Sequence, residues 1–306
     1  MQLILPVLLA SFWTICTEAG DWCYQSQFTC DHQCNVPEKW NHANQACAGQ
    51  KQSPINIITR KTLKDGHLTP FKFHGYQDTF RSNIKNNGHS AQVGLPHVCT
   101  ISNGGLPTNY KAVQFHLHWG TDGGPGSEHT IDGEQYPMEL HIVHMKSIYN
   151  DLTAALGDPE GVAVLGFFYE ISSSLNRKYD SIINALQSIH ATNGNTSLPP
   201  ISLAQLIPSE KNLTSYYRYK GSLTTPPCAE SVIWTVFKKP IPLSMNQLKA
   251  FSQLQFRDGK QMKGTFRPVQ PLNGRQVFRS GSAVILSNSA LLLATIAMAL
   301  GLSQPI

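Results

Sequence analysis

The sequence predicts an α+β chain dominated by one large β-sheet with peripheral helices. Three observations carry this. Strand-like runs recur at 112–119, 138–146, 162–171, 215–223 and 230–238. Helical patterns are fewer, at 181–191 and 244–256. No internal repeat or low-complexity linker divides the 306 residues, a length that suits one large domain.

Residues 112–119 alternate. Ala112, Gln114, His116 and His118 are expected on one face, and Val113, Phe115, Leu117 and Trp119 on the other. The Gly/Asp-rich stretch Gly120 to Gly133 suits an antiparallel return. In the next strand Met138, Leu140 and Ile142 oppose Glu139, His141 and Val143. At the second helix, Ser244 and Gln247 have the spacing of a capping box.

The polar residues on these strands sit among strongly apolar neighbours, so burial is expected, and a buried imidazole is costly unless paired. Metal ligation removes that cost. His116 and His118, two apart on a strand, share a face. His141 on the adjacent strand supplies a third corner of a tetrahedron, and an open fourth corner is the mark of a catalytic zinc. Gln114 and Glu139 are placed to bond the non-ligating nitrogens of His116 and His141, which fixes ring tautomer and orientation. His144 falls on the opposite face and reads as structural.

Motifs dispersed along the chain extend this picture. They are Trp22-Cys23-Tyr24, Gln52 to Ile57, Asn86-Asn87-Gly88-His89, Gln114 to Gly120, Ser127 to Thr130, Glu139 to His144, Val164-Leu165-Gly166, Gly221 to Pro227, and Trp234. In this order they resemble the α-carbonic anhydrases over nearly the whole mature chain. Cys23, Cys34, Cys47, Cys228 and both chain ends resemble the membrane-anchored, carbonic anhydrase IV-like branch.

The resemblance implies a twisted, mostly antiparallel sheet with Zn2+ at the base of a central cleft. It implies reversible hydration of CO2 to bicarbonate and a proton. His116, His118 and His141 become the zinc ligands, and Gln114 and Glu139 their supports. Thr224 becomes a gatekeeper that donates to Glu128 and orients the nucleophile, with Thr225 beside it positioning bicarbonate. Val143, Val164, Leu223 and Trp234 form an apolar wall for CO2. His89 takes the proton-shuttle position, which suits an imidazole near neutral pH. Tyr24, Asn87 and Gln92 order water near it. Ser53-Pro54 and Pro226-Pro227 are candidate cis bonds. His129 is expected as a buried structural histidine. A silent relative would lack a ligand histidine, and this chain keeps all three. A peptide-cleaving zinc enzyme is disfavoured, because no His-Glu-x-x-His occurs.

Seven cysteines are present, and Cys16 lies in a candidate signal segment. The remaining even number suits an oxidising compartment and permits about 15 pairings. The resemblance favours Cys23–Cys34 and Cys47–Cys228; elimination then pairs Cys30 with Cys99, with a free thiol or intermolecular bond as alternatives. Asn195 and Asn212 begin glycosylation sequons. Residues 1–19 are apolar and end in small residues, as a secretory signal does. Ser280-Gly281-Ser282 followed by the apolar Ala290 to Leu302 suits a cleaved lipid-anchor signal, with Ser280 as the attachment residue. The expected organisation is a signal over 1–19, one catalytic domain over 20–279, and an anchor signal over 280–306. A single transmembrane helix and plain secretion are the rivals to a GPI anchor at the outer cell surface. The resemblance makes bicarbonate transporters candidate partners. A formal charge of +5 with no basic run gives nucleic-acid binding no support.

Overall fold

The computed structural model describes residues 22–28 and 34–281. The expected signal segment, the expected anchor segment beyond Gly281, and Cys30 lie outside these residues. Among the described residues no helix is long and apolar enough to cross a membrane.

A 12-stranded sheet dominates. Along its main path the strands run Asn195–Ser197, Asn83–Asn86, Ala91–Gly94, Tyr110–Trp119, Met138–Lys146, Val162–Ser172, Val232–Ser244, Tyr216–Gly221, Phe278–Ser280 and Leu63–Asp65. Pairing is mostly antiparallel. Val162–Ser172 runs parallel to Val232–Ser244, and Phe278–Ser280 parallel to Leu63–Asp65. The sheet-dominated fold class is therefore as expected.

The central strands are buried on both faces, which explains why 138–145 and 162–169 are buried at every position. One face carries Phe115, Leu117, Leu140 and Ile142, covered by helices Asp180–Leu186 and Met245–Phe251 through Ile182, Leu248 and Phe251. The other carries Val143, Val164 and Trp234, with Ile55 and Ile57 in the same cluster from outside the sheet. Burying a side chain of this size is worth about 1.5–3 kcal/mol.

Several boundaries differ from expectation. The last long strand continues through Pro240 and Pro242 to Ser244, beyond the expected 238. The 181–191 helix is a short α-helix, Asp180–Leu186, followed by a 3-10 turn, Gln187–Ile189. The capping box forms, with Ser244 accepting from Gln247 N, but its helix stops at Phe251. The expected alternation of 112–119 holds only from Gln114 onward. His144 pairs with Ala112 and Val143 with Gln114, so Val113 is an extra residue. This bulge turns Ala112 to the Phe115 face and Val113 toward the Val143 face. The expected domain end at 279 cuts through the strand Phe278–Ser280.

Both expected disulfides are present, Cys23–Cys34 and Cys47–Cys228. Of the third pair, Cys99 is a buried free thiol whose Sγ lies 3.4 Å from Gly75 O, and Cys30 falls outside the described residues. Ser53–Pro54 and Pro226–Pro227 are cis.

Candidate metal centre

Antiparallel pairing sets His141 directly across from His116 and Glu139 across from His118. All four side chains leave the same face of the sheet. The three histidines each offer one ring nitrogen, and these atoms lie within 4.8 Å of one another.

The opposite nitrogen of each ring meets an acceptor. His116 Nδ1 lies 2.9 Å from Gln114 Oε1. His118 Nδ1 lies 2.6 Å from Thr265 O. His141 Nε2 lies 2.8 Å from Glu139 Oε1. An acceptor holds a proton on the nitrogen it faces, so the lone pairs sit on His116 Nε2, His118 Nε2 and His141 Nδ1. Burial first, and then the neighbouring rings, push the His116 imidazole well below its usual range; burial brings His118 down to about 3 and His141 down as well. All three are thus neutral, as ligation requires. His118 Nε2 is buried without a hydrogen-bond partner among the described residues. Such an orphaned lone pair fits a metal ion, and the all-nitrogen donor set suits zinc.

A second grouping, His129 with Glu139 and His141, has metal-ligand residue types too. Its atoms are at hydrogen-bond distance from each other, with His129 Nδ1 2.7 Å from Glu139 Oε1. Glu139 also accepts from the backbone N–H of Glu128 (2.9 Å) and His129 (2.8 Å). Four donors meet one fully buried carboxylate. Burial alone would raise its pKa, but His129 and His141 pull it below the ordinary carboxylate range. Glu139 is a satisfied anion, and this second grouping has no lone pair to spare. His129 is structural, as expected, with Nε2 2.6 Å from the Tyr219 hydroxyl.

Glu128 is buried beside the triad, its Oε2 3.3 Å from His118 Nε2. Burial pushes its carboxyl well above the ordinary range, opposed by the Thr224 hydroxyl and the Arg267 backbone N–H. That amide donates to Glu128 Oε1 at 2.9 Å. A dication in the triad would favour the ionised carboxylate.

The loop bearing Thr224 and Thr225 is held at several points. Ser53 N donates to Ser222 Oγ, and Ser222 N to Ser53 Oγ. Gln52 Nε2 reaches Cys228 O, and Cys47–Cys228 locks the loop's far end. A Cβ on Gly221 would fall 2.1 Å from Ser53 Oγ, so the close approach requires glycine there. Val143, Val164 and Trp234 share one cluster, and Leu223 packs against it. Trp234 sits edge-on to His141, ring centroids 4.8 Å apart. His89 is half-buried and stacked on Trp22, ring centroids 3.9 Å apart. Asn87 Nδ2 donates to Gln92 Oε1 next to it.

Sequence reasoning missed Thr265 and Arg267. Both act on the site through backbone atoms, which leave no residue-type signature. Thr265 also accepts from Trp119 N through its hydroxyl, pinning the end of the histidine strand.

Residues 35–281 match the eukaryotic-type carbonic anhydrase family. The chain belongs to that family. It is 40% identical to carbonic anhydrase 4 of Rattus norvegicus over 92% of this chain and 91% of that protein. It is 42% identical to carbonic anhydrase 4 of Mus musculus, again over 92% and 91%. Human carbonic anhydrase 12 is 37% identical over 86% of this chain and 76% of its own length. The carbonic anhydrase 4 relatives support the narrower, carbonic anhydrase IV-like placement. The chain is a carbonic anhydrase in enzyme class, and its reaction is CO2 hydration.

Asn195 and Asn212 are both exposed, so both sequons are accessible. Ser280 is buried, its Oγ donating to Thr214 O and accepting from Tyr216 N.

Proposed function

We propose that the protein hydrates CO2 reversibly at the outer cell surface, using zinc held by His116, His118 and His141. The observation that carries this is the convergence of three neutral, tautomer-locked imidazoles on one point. When bound, zinc supplies the Lewis acidity that ionises water near neutral pH; carbonic anhydrase is the general example of this chemistry.

The chain's own residues do the rest. Gln114, Thr265 and Glu139 hold the three rings in the ligating tautomer. Thr224 donates to Glu128, which leaves its oxygen to accept a hydrogen bond from the attacking hydroxyl and so fix its direction. Thr225 contacts the bicarbonate product. Val143, Val164, Leu223 and Trp234 offer CO2 an apolar surface with no competing hydrogen bonds. His89 passes the released proton to buffer, from a ring stacked on Trp22. CO2 hydration is followed by stopped flow in zinc-loaded and chelated protein. Activity confined to the loaded form is expected; equal activity in both forms overturns the reading.

The anchor reading places a lipid on Ser280. Its side chain is held in the final strand, so the lipid would leave the domain from the strand end with almost no tether. Bicarbonate transporters remain candidate partners by resemblance alone. Phosphatidylinositol-specific phospholipase C should release the protein from cells, and retention would favour a membrane-spanning segment.

A further inference from the structure

On the sheet face opposite the histidines, Arg218 is buried, with only 7% of its surface exposed. Its Nε and Nη2 donate to Thr235 Oγ1 at 3.2 and 2.9 Å, and Nη2 also to Gly104 O at 2.8 Å. Phe71 and Tyr216 flank the guanidinium, each ring centroid 5.8 Å away. No carboxylate lies within salt-bridge distance among the described residues. A buried cation with no carboxylate in contact is costly; burial pushes Arg218 down to about 10, and Asp65 offsets this only in part from beyond salt-bridge distance.

Nη1 has no acceptor among the described residues. It faces Gly105, where an added Cβ would sit 3.4 Å from it and 2.9 Å from Leu68. Both residues line a cavity of about 480 Å³. Leu68, Pro107, Ile233 and Phe278 give this cavity its apolar wall. Arg275 borders it too, and its guanidinium is held by backbone carbonyls of Gln52, Lys220, Pro271 and Leu272. Lys51 stands at the rim. Of the cavity's two acids, Glu160 pairs with Lys220 at 2.6 Å, and Asp65 bonds His67 at 2.9 Å while also attracting Arg218, which leaves Arg275 and Lys51 as further positive charge. The cavity therefore offers an excess of positive charge beside apolar surface.

We propose that this cavity binds a monocarboxylate carried on an apolar body, such as an aryl-alkanoate or a medium-chain fatty acid. The carboxylate meets Arg218 Nη1, with Arg275 and Lys51 adding charge, and the apolar body lies against Leu68, Ile233 and Phe278. A planar carboxylate suits a guanidinium edge. An apolar body distinguishes the ligand from bicarbonate, which would leave the hydrophobic wall wet. The site does not depend on zinc.

The test uses 4-phenylbutyrate, titrated into zinc-loaded and chelated protein by calorimetry and soaked into crystals. We expect binding of similar strength in both forms, with the carboxylate at hydrogen-bond distance from Arg218 Nη1. 4-Phenylbutanol and acetate should each bind at least about tenfold more weakly, as should the Arg218→Gln variant. Lys51→Glu, an exposed change that spares the fold, should weaken binding a few-fold at low salt and less at high salt. If Arg218→Gln does not fold, the Lys51→Glu comparison decides. Binding abolished by chelation, binding at crystal concentration only, or affinity unchanged in the folded variants overturns the proposal.

Discussion

Glu139→Gln exchanges one heavy atom and should undo the metal site from behind its histidines. The carboxylate accepts four hydrogen bonds, from Glu128 N, His129 N, His129 Nδ1 and His141 Nε2. Glutamine replaces one oxygen with an NH2 that can only donate. If the NH2 takes the Oε2 place, two buried backbone N–H groups lose their acceptor. At about 1–3 kcal/mol each, that costs roughly 2–6 kcal/mol of stability. If it takes the Oε1 place, His141 must present a lone pair to it. Its proton then moves to Nδ1, the atom that faces the metal, and ligation is lost. Either way zinc affinity should fall about 10–100-fold or more. Zinc affinity is read by competition with a chromophoric chelator, and stability by thermal melting of the chelated protein. Affinity within twofold of the parent, with unchanged melting, would refute the tautomer argument.

Other consequences follow from the same geometry. His89→Ala should lower proton-limited turnover and be rescued by imidazole buffers; unchanged turnover across buffers removes His89 from the relay. His144 is pushed down to about 4 by burial, against the carbonyls of Ala163 and Ile142, and bonds the Tyr76 hydroxyl at 2.7 Å. A depressed folded-state pKa gives stability that is complete above about 6.5 and lost as pH falls toward 4. The difference is worth about 3 kcal/mol, so the chelated His144→Leu variant should lose that much less stability over this window. Denaturation midpoints at pH 7 and 4.5 measure it, and equal losses in parent and variant contradict it. Removing Cys47–Cys228, which spans 181 residues, should cost about 5 kcal/mol by chain entropy and loosen Thr224. Urea midpoints and CO2 hydration read both, and a variant equal to its parent in each would show that the bond holds nothing.

The ligand face was legible because strand period and histidine spacing coincide: His116, His118 and His141 need only pleat and pairing to converge. Gln114 and Glu139 were legible for the same reason, each two residues from its partner on the same face. The Val113 bulge was not, because an extra residue leaves the composition of the strand unchanged. Nor was the Thr265 carbonyl, contributed from 147 residues downstream by backbone alone. Arg218 sits in a strand whose pattern was read, yet its burial depends on Phe71 and Gly104 from distant segments. The proline-containing end of Val232–Ser244 defied the pattern because its partner Val162–Ser172 continues alongside to Ser172.

The most direct measurement is anomalous diffraction at the zinc edge from crystals of the purified protein. One zinc ion bonded to His116 Nε2, His118 Nε2 and His141 Nδ1 is expected, with Glu139 still bound to His141 Nε2. Zinc held by other atoms, or those three nitrogens bare in zinc-replete crystals, would contradict it.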